Sequence, residues 1–263
     1  MSLADPIFPP LLTAHAVNAP LAPFADACQR AAVGELGAGD VVWSRRHDRA
    51  ELALVLEPEI GAGTALQMAP LMLVAAGDCL GALLPPQVPV SYRWPDRLAI
   101  DGAEVGRLSL ALAETDTAGA VPDWLVVGIG IQLAFRERDY EPGEVAHRTA
   151  LAEEGGADID RTRLLESISS HFMSWLNTWQ DDGFRPVSLA FLERLDRDED
   201  GTIMLEIGGV SRACRPLGLD EQAGLILKPQ AGPSFTAGLW DALVQSSTQS
   251  AVTSAVGPAK SSP

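Results

Sequence analysis

Apolar positions along the chain fall into three patterns, and each predicts a different element. From Ala65 to Leu84 the run is almost unbroken, interrupted by Gln67, Pro70 and Asp78. Those polar interruptions favour a buried helix over a membrane span. Thr64 is its expected N-cap and Pro85-Pro86 its stop. From Arg161 to Asp181 the apolar residues Leu164, Leu165, Ile168, Phe172, Trp175, Leu176 and Trp179 recur at three- and four-residue steps. That spacing predicts an amphipathic helix, ended by Gly183. From Trp124 to Leu133 a continuous β-rich run suits a central strand buried on both faces.

Shorter segments fill the frame. Pro9 to Pro23 reads as extended, and Pro23 with Asp26 introduces a helix over Ala25–Leu36. Val41–Trp43 and Glu51–Leu56 read as strands, joined by Ser44-Arg45-Arg46-His47-Asp48-Arg49. Val88–Arg93, Arg97–Ile100 and Val105–Ala113 follow as strands, with Asp101-Gly102 as a hairpin turn. A helix over Leu189–Leu195 precedes three more strands: Thr202–Ile207, Val210–Leu217 and Gly224–Lys228. Gly208-Gly209 and Leu219–Ala223 are their expected turns. Past Pro229 the chain is rich in Ser, Ala, Thr and Gly. Phe235, Leu239, Trp240 and Leu243 are compatible with one docking helix, and Gln245–Pro263 is expected to be disordered. The division is therefore a main domain over 8–182, a small β module over 183–229 and a tail over 230–263.

Composition narrows the function classes. Of 263 residues, 47% are hydrophobic and 21% charged, which describes a globular chain with a sizeable core. The net charge of -16 makes nucleic acid an improbable general partner, because phosphate backbones are repelled. No basic n-region with an apolar run opens the chain, and no membrane partner is expected. Cys28, Cys79 and Cys214 form no Cys-x-x-Cys pair, so a reducing, cytoplasmic setting is the natural reading.

Two segments carry chemistry. Trp94-Pro95-Asp96 resembles the Trp-Pro-Asn-Asp signature of the biotin/lipoate protein ligase family. Val126-Val127-Gly128-Ile129-Gly130-Ile131 resembles that family's Val-Ile-Gly-Ile-Gly-Ile-Asn strand. The order of elements from Phe8 to Lys228 is similar as well. The resemblance implies an α+β fold: a mixed β-sheet core of the class II synthetase-like type with a small C-terminal SH3-like β module. The family's separate DNA-binding domain is not expected, since Phe8 already belongs to the catalytic-type domain.

The resemblance also implies a reaction. Family members join a carboxylic acid (biotin, lipoate or octanoate) to AMP from ATP with Mg²⁺, then pass the acyl group to a lysine on a carrier domain. Bringing two anions together needs fixed positive charge and aligned donors. On the family pattern, Trp94, Gly128, Ile129 and Gly130 would line the acyl site. Arg45, Arg46 and Arg93 would neutralise phosphate, Asp96 would orient nucleotide or amine, and Gln132 would stand where an asparagine is usual.

The departures are specific. Residues 1–227 contain no lysine, and only Lys228 and Lys260 occur in the chain. Matching Asp101-Gly102-Ala103-Glu104-Val105-Gly106-Arg107 to the family's lysine stretch puts Glu104 at the lysine position. An uncompensated glutamate facing phosphate is repulsive and would need Mg²⁺. Arg107 is a tempting substitute, but odd spacing in a strand sends it to the opposite face. The arginine/glycine loop shrinks to Ser44–Arg49 without a glycine. Two readings stay open: an acyl-attaching enzyme with altered catalysis, or a non-enzymatic protein that binds an acid or a biotinyl/lipoyl carrier domain. A cysteine-dependent acyltransferase ranks below both.

Other motifs read as structure. Asp196 to Gly201 looks like the start of a calcium loop, but its twelfth position is Ile207, so an acidic hairpin turn is the better reading and no metal site is expected. His171, among Ile168, Phe172 and Trp175, reads as a structural histidine.

Overall fold

The computed structural model describes residues 3–135, 147–207 and 210–246. Seven strands form one mixed sheet: β1 (Thr13–Val17), β2 (Asp40–Ser44), β3 (Arg49–Leu56), β4 (Val90–Arg93), β5 (Arg97–Ile100), β6 (Ala103–Leu112) and β7 (Leu125–Gln132). Their order across the sheet is β1-β2-β3-β7-β6-β5-β4. The β-rich run thus occupies the middle of the sheet, as its continuous hydrophobicity predicts. Only β1 with β2 is parallel; the other neighbours are antiparallel. Asp101 and Gly102 both have positive φ (45° and 76°), as a tight two-residue hairpin requires.

One face of the sheet is covered by helices α3 (Met68–Leu83), α4 (Arg161–Asp182) and α5 (Arg185–Glu193), which build the main core with Leu52, Leu108, Val127, Ile129 and Ile131. The apolar run is buried there, not exposed. Asp160 caps α4, its carboxylate accepting from the Arg163 N–H at 2.8 Å, and Gly183 ends it with φ +76°. The other face is covered only in part, by α1 (Pro23–Ala32) over Val42, Ala53, Val55 and Val126.

Thr64 does not cap the long helix. It lies inside a short preceding helix, α2 (Ala62–Ala65). The first donors of that helix are satisfied by loop carbonyls instead: Ala62 N–H to Ala120 O and Gly63 N–H to Ala118 O, each 2.8 Å. Two strands went unpredicted, β1 and β11 (Phe235–Ala237). With β8 (Ile203–Ile207), β9 (Val210–Leu219) and β10 (Leu225–Pro229), β11 makes a four-stranded antiparallel sheet ordered β11-β10-β9-β8. The expected turn at Gly208-Gly209 lies outside the described residues. Asp220 organises the β9–β10 turn by accepting from the N–H groups of Gln222 and Gly224 at 2.9 and 2.8 Å.

The disorder expected from Gln245 onward is corrected for its first two residues. Residues 239–246 are helical, Leu239 and Leu243 are buried, and Ser246 is buried against the main domain. A polar, small-residue composition hid this docking.

Candidate functional site

The exposed half of the α1-side face is where the polar residues of the strands gather. Alternation places Arg49 and Glu51 of β3 beside Ala53 and Val55 on that face. Gly128, Gly130 and Gln132 of β7 share it, with Gly130 opposite Glu51 on one side and Arg107 on the other. Ile129, expected in the acyl site, instead faces the helical core.

Gly128 has no room for a side chain. A Cβ there would stand 2.9 Å from the Phe24 ring of α1. Likewise, a Cβ at Gly106 would meet the Gly130 carbonyl at 2.7 Å.

Arg107 is not on the opposite face from Glu104, contrary to the parity argument. The register between β5 and β6 shifts: Leu98 pairs with Gly106 but Ala99 pairs with Glu104. The extra residue, Val105, is a β-bulge whose side chain is buried in the core. One inserted residue converts odd spacing to same-face spacing. Arg107 Nη2 then lies 3.4 Å from the Glu104 carboxylate.

Glu104 is therefore compensated. Its carboxylate, 13% exposed, lies 3.0 Å from Arg97 Nη1 as well as beside Arg107. The expected anion-repelling surface is instead an ion-pair network. Asp96 joins it at longer range, 3.7 Å from Arg107 Nε and 4.0 Å from Arg97 Nε. Asp96 is buried, and its Oδ2 accepts from the Ser246 hydroxyl at 2.8 Å while Oδ1 has no hydrogen-bond donor. Burial pushes its pKa up; Arg107, the Ser246 hydroxyl and Arg97 pull the other way without cancelling that. No group of three metal-ligating side chains occurs among the described residues.

A small cleft of about 20 Å³ lies in this face, lined among others by Arg49, Glu104, Arg107, Gln132, Arg148 and Thr149. Gln132 closes one side as a clamp, donating to the Asp48 and Ala134 carbonyls at 3.1 and 2.7 Å. Glu104 is fixed through its backbone, with its N–H donating to His147 O and its carbonyl accepting from Thr149 N–H, each at 2.8 Å. Arg49 was passed over in the sequence as part of a loop, although it opens β3 and faces Gly130.

The other expected residues line separate cavities. Arg45 and Arg46 border a cavity of about 410 Å³ with Asn18, His47 and Asp48. Arg45 is paired to Asp5 at 2.5 Å and Arg46 to Asp48 at 2.6 Å. The loop between β2 and β3 is held from below by Arg161, 2% exposed, which donates to the Arg45 carbonyl at 2.8 Å and lies over the Trp43 ring at 5.1 Å. Arg93 and Trp94 line a third cavity of about 750 Å³, between the β4–β5 turn and the four-stranded sheet. There Arg93 is paired to Asp196 at 2.7 Å.

The cysteines are poor nucleophiles. Burial pushes the Cys28 and Cys79 thiols each up to about 11, and Cys214 is buried. His171 Nδ1 donates to the Ser167 carbonyl of its own helix at 2.8 Å. Asp198 organises the acidic turn by accepting from Thr202 N–H at 2.7 Å.

The chain resembles several known proteins. It is 36% identical to a biotin protein ligase-like protein of unknown function from Silicibacter sp. tm1040, with a TM-score of 0.78 over 91% of this chain and 99% of that one. Over 181 residues it is 29% identical to the biotin--[acetyl-CoA-carboxylase] ligase of Paracoccus denitrificans, spanning 68% of this chain and 73% of that protein. The biotin protein ligase of Aquifex aeolicus shares the fold, with a TM-score of 0.67 over 88% of this chain and 96% of that one at 18% identity. A profile of the biotin/lipoate A/B protein ligase family matches residues 8–193. With that match covering most of the chain and the glycine strand at the centre of the sheet, the chain belongs to the biotin/lipoate A/B protein ligase family.

Proposed function

We propose that the protein activates a small carboxylic acid, biotin or a lipoate- or octanoate-type acid, as its adenylate from ATP. It then transfers the acyl group to a lysine of a biotinyl or lipoyl carrier domain. The adenylation step forms an acyl–phosphate bond and releases pyrophosphate; the transfer forms an amide and releases AMP. Arginines replace lysine as the source of positive charge. The observation that carries this reading is the compensation of Glu104 by Arg97 and Arg107 at 3.0 and 3.4 Å. A polar face balanced by guanidinium groups can accept an anion where a bare glutamate would repel it.

The Paracoccus relative is named for acting on acetyl-CoA carboxylase, which supports a carboxylase carrier domain as the partner. The four-stranded sheet is read as the SH3-like module, and three free thiols support a cytoplasmic setting. The test is pyrophosphate release from ATP with biotin, lipoate or octanoate, followed by mass measurement of a carrier domain. Pyrophosphate release with one acid supports a ligase.

A second reading, binding without activation, is favoured by two observations. The cleft beside Gly130 holds only about 20 Å³, and Phe24 covers Gly128. Acid binding by calorimetry without pyrophosphate release would select it.

A further inference from the structure

Arg49 has an unmet donor in the middle of the polar face. Its Nε is buried and has no hydrogen-bond partner. The nearest carboxylate, Glu51 Oε1, lies 3.6 Å from Nη1, too far for a hydrogen bond. A guanidinium offers five N–H donors in a planar fork, and leaving a buried one unmade is unfavourable. Gly130 makes the room for this head group: a Cβ there would stand 3.2 Å from Arg49 Nη2 and 3.5 Å from Glu51 Cγ. From the strand on the other side, Arg107 is the cross-strand partner of Gly130. Both arginines line the same cleft of about 20 Å³. That volume is enough for an oxygen-sized group.

We propose that Arg49 and Arg107, flanking Gly130 from β3 and β6, form a guanidinium pair that seats one oxygen of an anionic group, carboxylate or phosphoryl. The inference deepens the ligase reading by naming the residues that replace its cation. The regular pairing of β6 with β7 holds Arg107 opposite Gly130, on the face where Arg49 lies, and the bulge at Val105 brings Glu104 onto that face beside it. N–H donors of two guanidinium groups can converge on a single oxygen of either anion, with the body of the acid or nucleotide lying outside the cleft.

The experiment measures binding of AMP, inorganic pyrophosphate and biotin, each alone, by calorimetry on the full chain. Arg49→Gln and Arg49→Lys are compared with Arg215→Gln, an exposed charge on β9 that controls for the lost positive charge. Thermal melting is recorded for each. A tenfold or greater loss of AMP or pyrophosphate binding in Arg49→Gln, partly restored in Arg49→Lys and absent in Arg215→Gln, supports the pair and assigns phosphoryl. The same loss for biotin alone assigns carboxylate. Unchanged binding of all three in a folded Arg49→Gln protein overturns the proposal, as does a wild-type chain that binds none of them. Pyrophosphate release separates the two ideas. Binding that depends on Arg49 without release sinks the ligase reading alone. Release that is indifferent to Arg49 sinks the pair alone.

Discussion

Asp96 is a buried carboxylate whose folded state favours the proton, and that has a sign that can be measured. Because its pKa is raised on folding, the folded chain binds the proton more tightly than the unfolded chain. The stability this contributes is fully present at low pH. It is lost as pH climbs from the ordinary value of 3.8 through the raised folded value. Asp96→Asn removes that slope. In urea denaturation over a pH series, wild-type stability relative to Asp96→Asn should fall as pH rises and then level off. A difference that grows with pH would mean that the arginines, not burial, dominate the site. Glu104 gives a second residue-level outcome. Glu104→Lys does not install a family-type lysine but places a third cation beside Arg97 and Arg107. The expected result is a loss of about 1–3 kcal/mol, discounted for the partial exposure of the arginines, with no gain in pyrophosphate release. A stable Glu104→Lys protein with raised release would show that the network is dispensable.

Elements with strong periodicity were legible, and those set by tertiary partners were not. The α4 stripe, the apolar α3 run and the β7 strand announced themselves by what each must bury. The Asp101-Gly102 turn did so by its residue types. The bulge at Val105 had no such signal, because Val105 and its neighbours read as ordinary strand residues; only pairing with β5 exposes the extra residue. That one shift misplaced Arg107, and with it the site's cation. Arg49 was missed because the shortened loop ends where β3 begins, a boundary that composition does not mark. The helix over 239–246 was half legible: Leu239 and Leu243 signalled docking, while Gln245 and Ser246 looked like tail. Leu243→Ala tests this element. A buried leucine truncated in a packed site costs about 2–5 kcal/mol, whereas an exposed tail position changes stability by about 0.5 kcal/mol or less. Chemical denaturation distinguishes the two, and a near-zero change would remove the helix from the folded body.

At the scale of the whole molecule, the two sheets share one core. Buried Cys214, Ala223, Leu225 and Leu227 of the small-sheet region and Leu239 and Leu243 beyond it belong to the same cluster as the α3 and β7 residues. A polar bridge reinforces that continuity through buried Gln67. Its side chain donates to the Glu221 carbonyl at 2.6 Å and accepts from Trp179 Nε1 at 2.6 Å. Further out, Tyr92 N–H donates to the Arg194 carbonyl at 2.8 Å, extending the large sheet toward the small one. Contiguous apolar burial with satisfied polar links is the condition for all-or-none unfolding. Urea should therefore unfold both sheets together. The tryptophans offer a clean probe: of six, Trp43, Trp94, Trp124, Trp175 and Trp179 precede the small sheet, and only Trp240 follows it. In Trp240→Phe, fluorescence reports the large sheet alone while far-ultraviolet circular dichroism reports both. Coincident midpoints are expected. Gln67→Ala leaves the Glu221 carbonyl and the Trp179 indole N–H unpaired, at about 1–3 kcal/mol for each group, and should shift both midpoints equally. If dichroism falls at lower urea than fluorescence, the small sheet melts on its own. The cavity of about 750 Å³ between the sheets would then be a separable joint rather than part of one cooperative body.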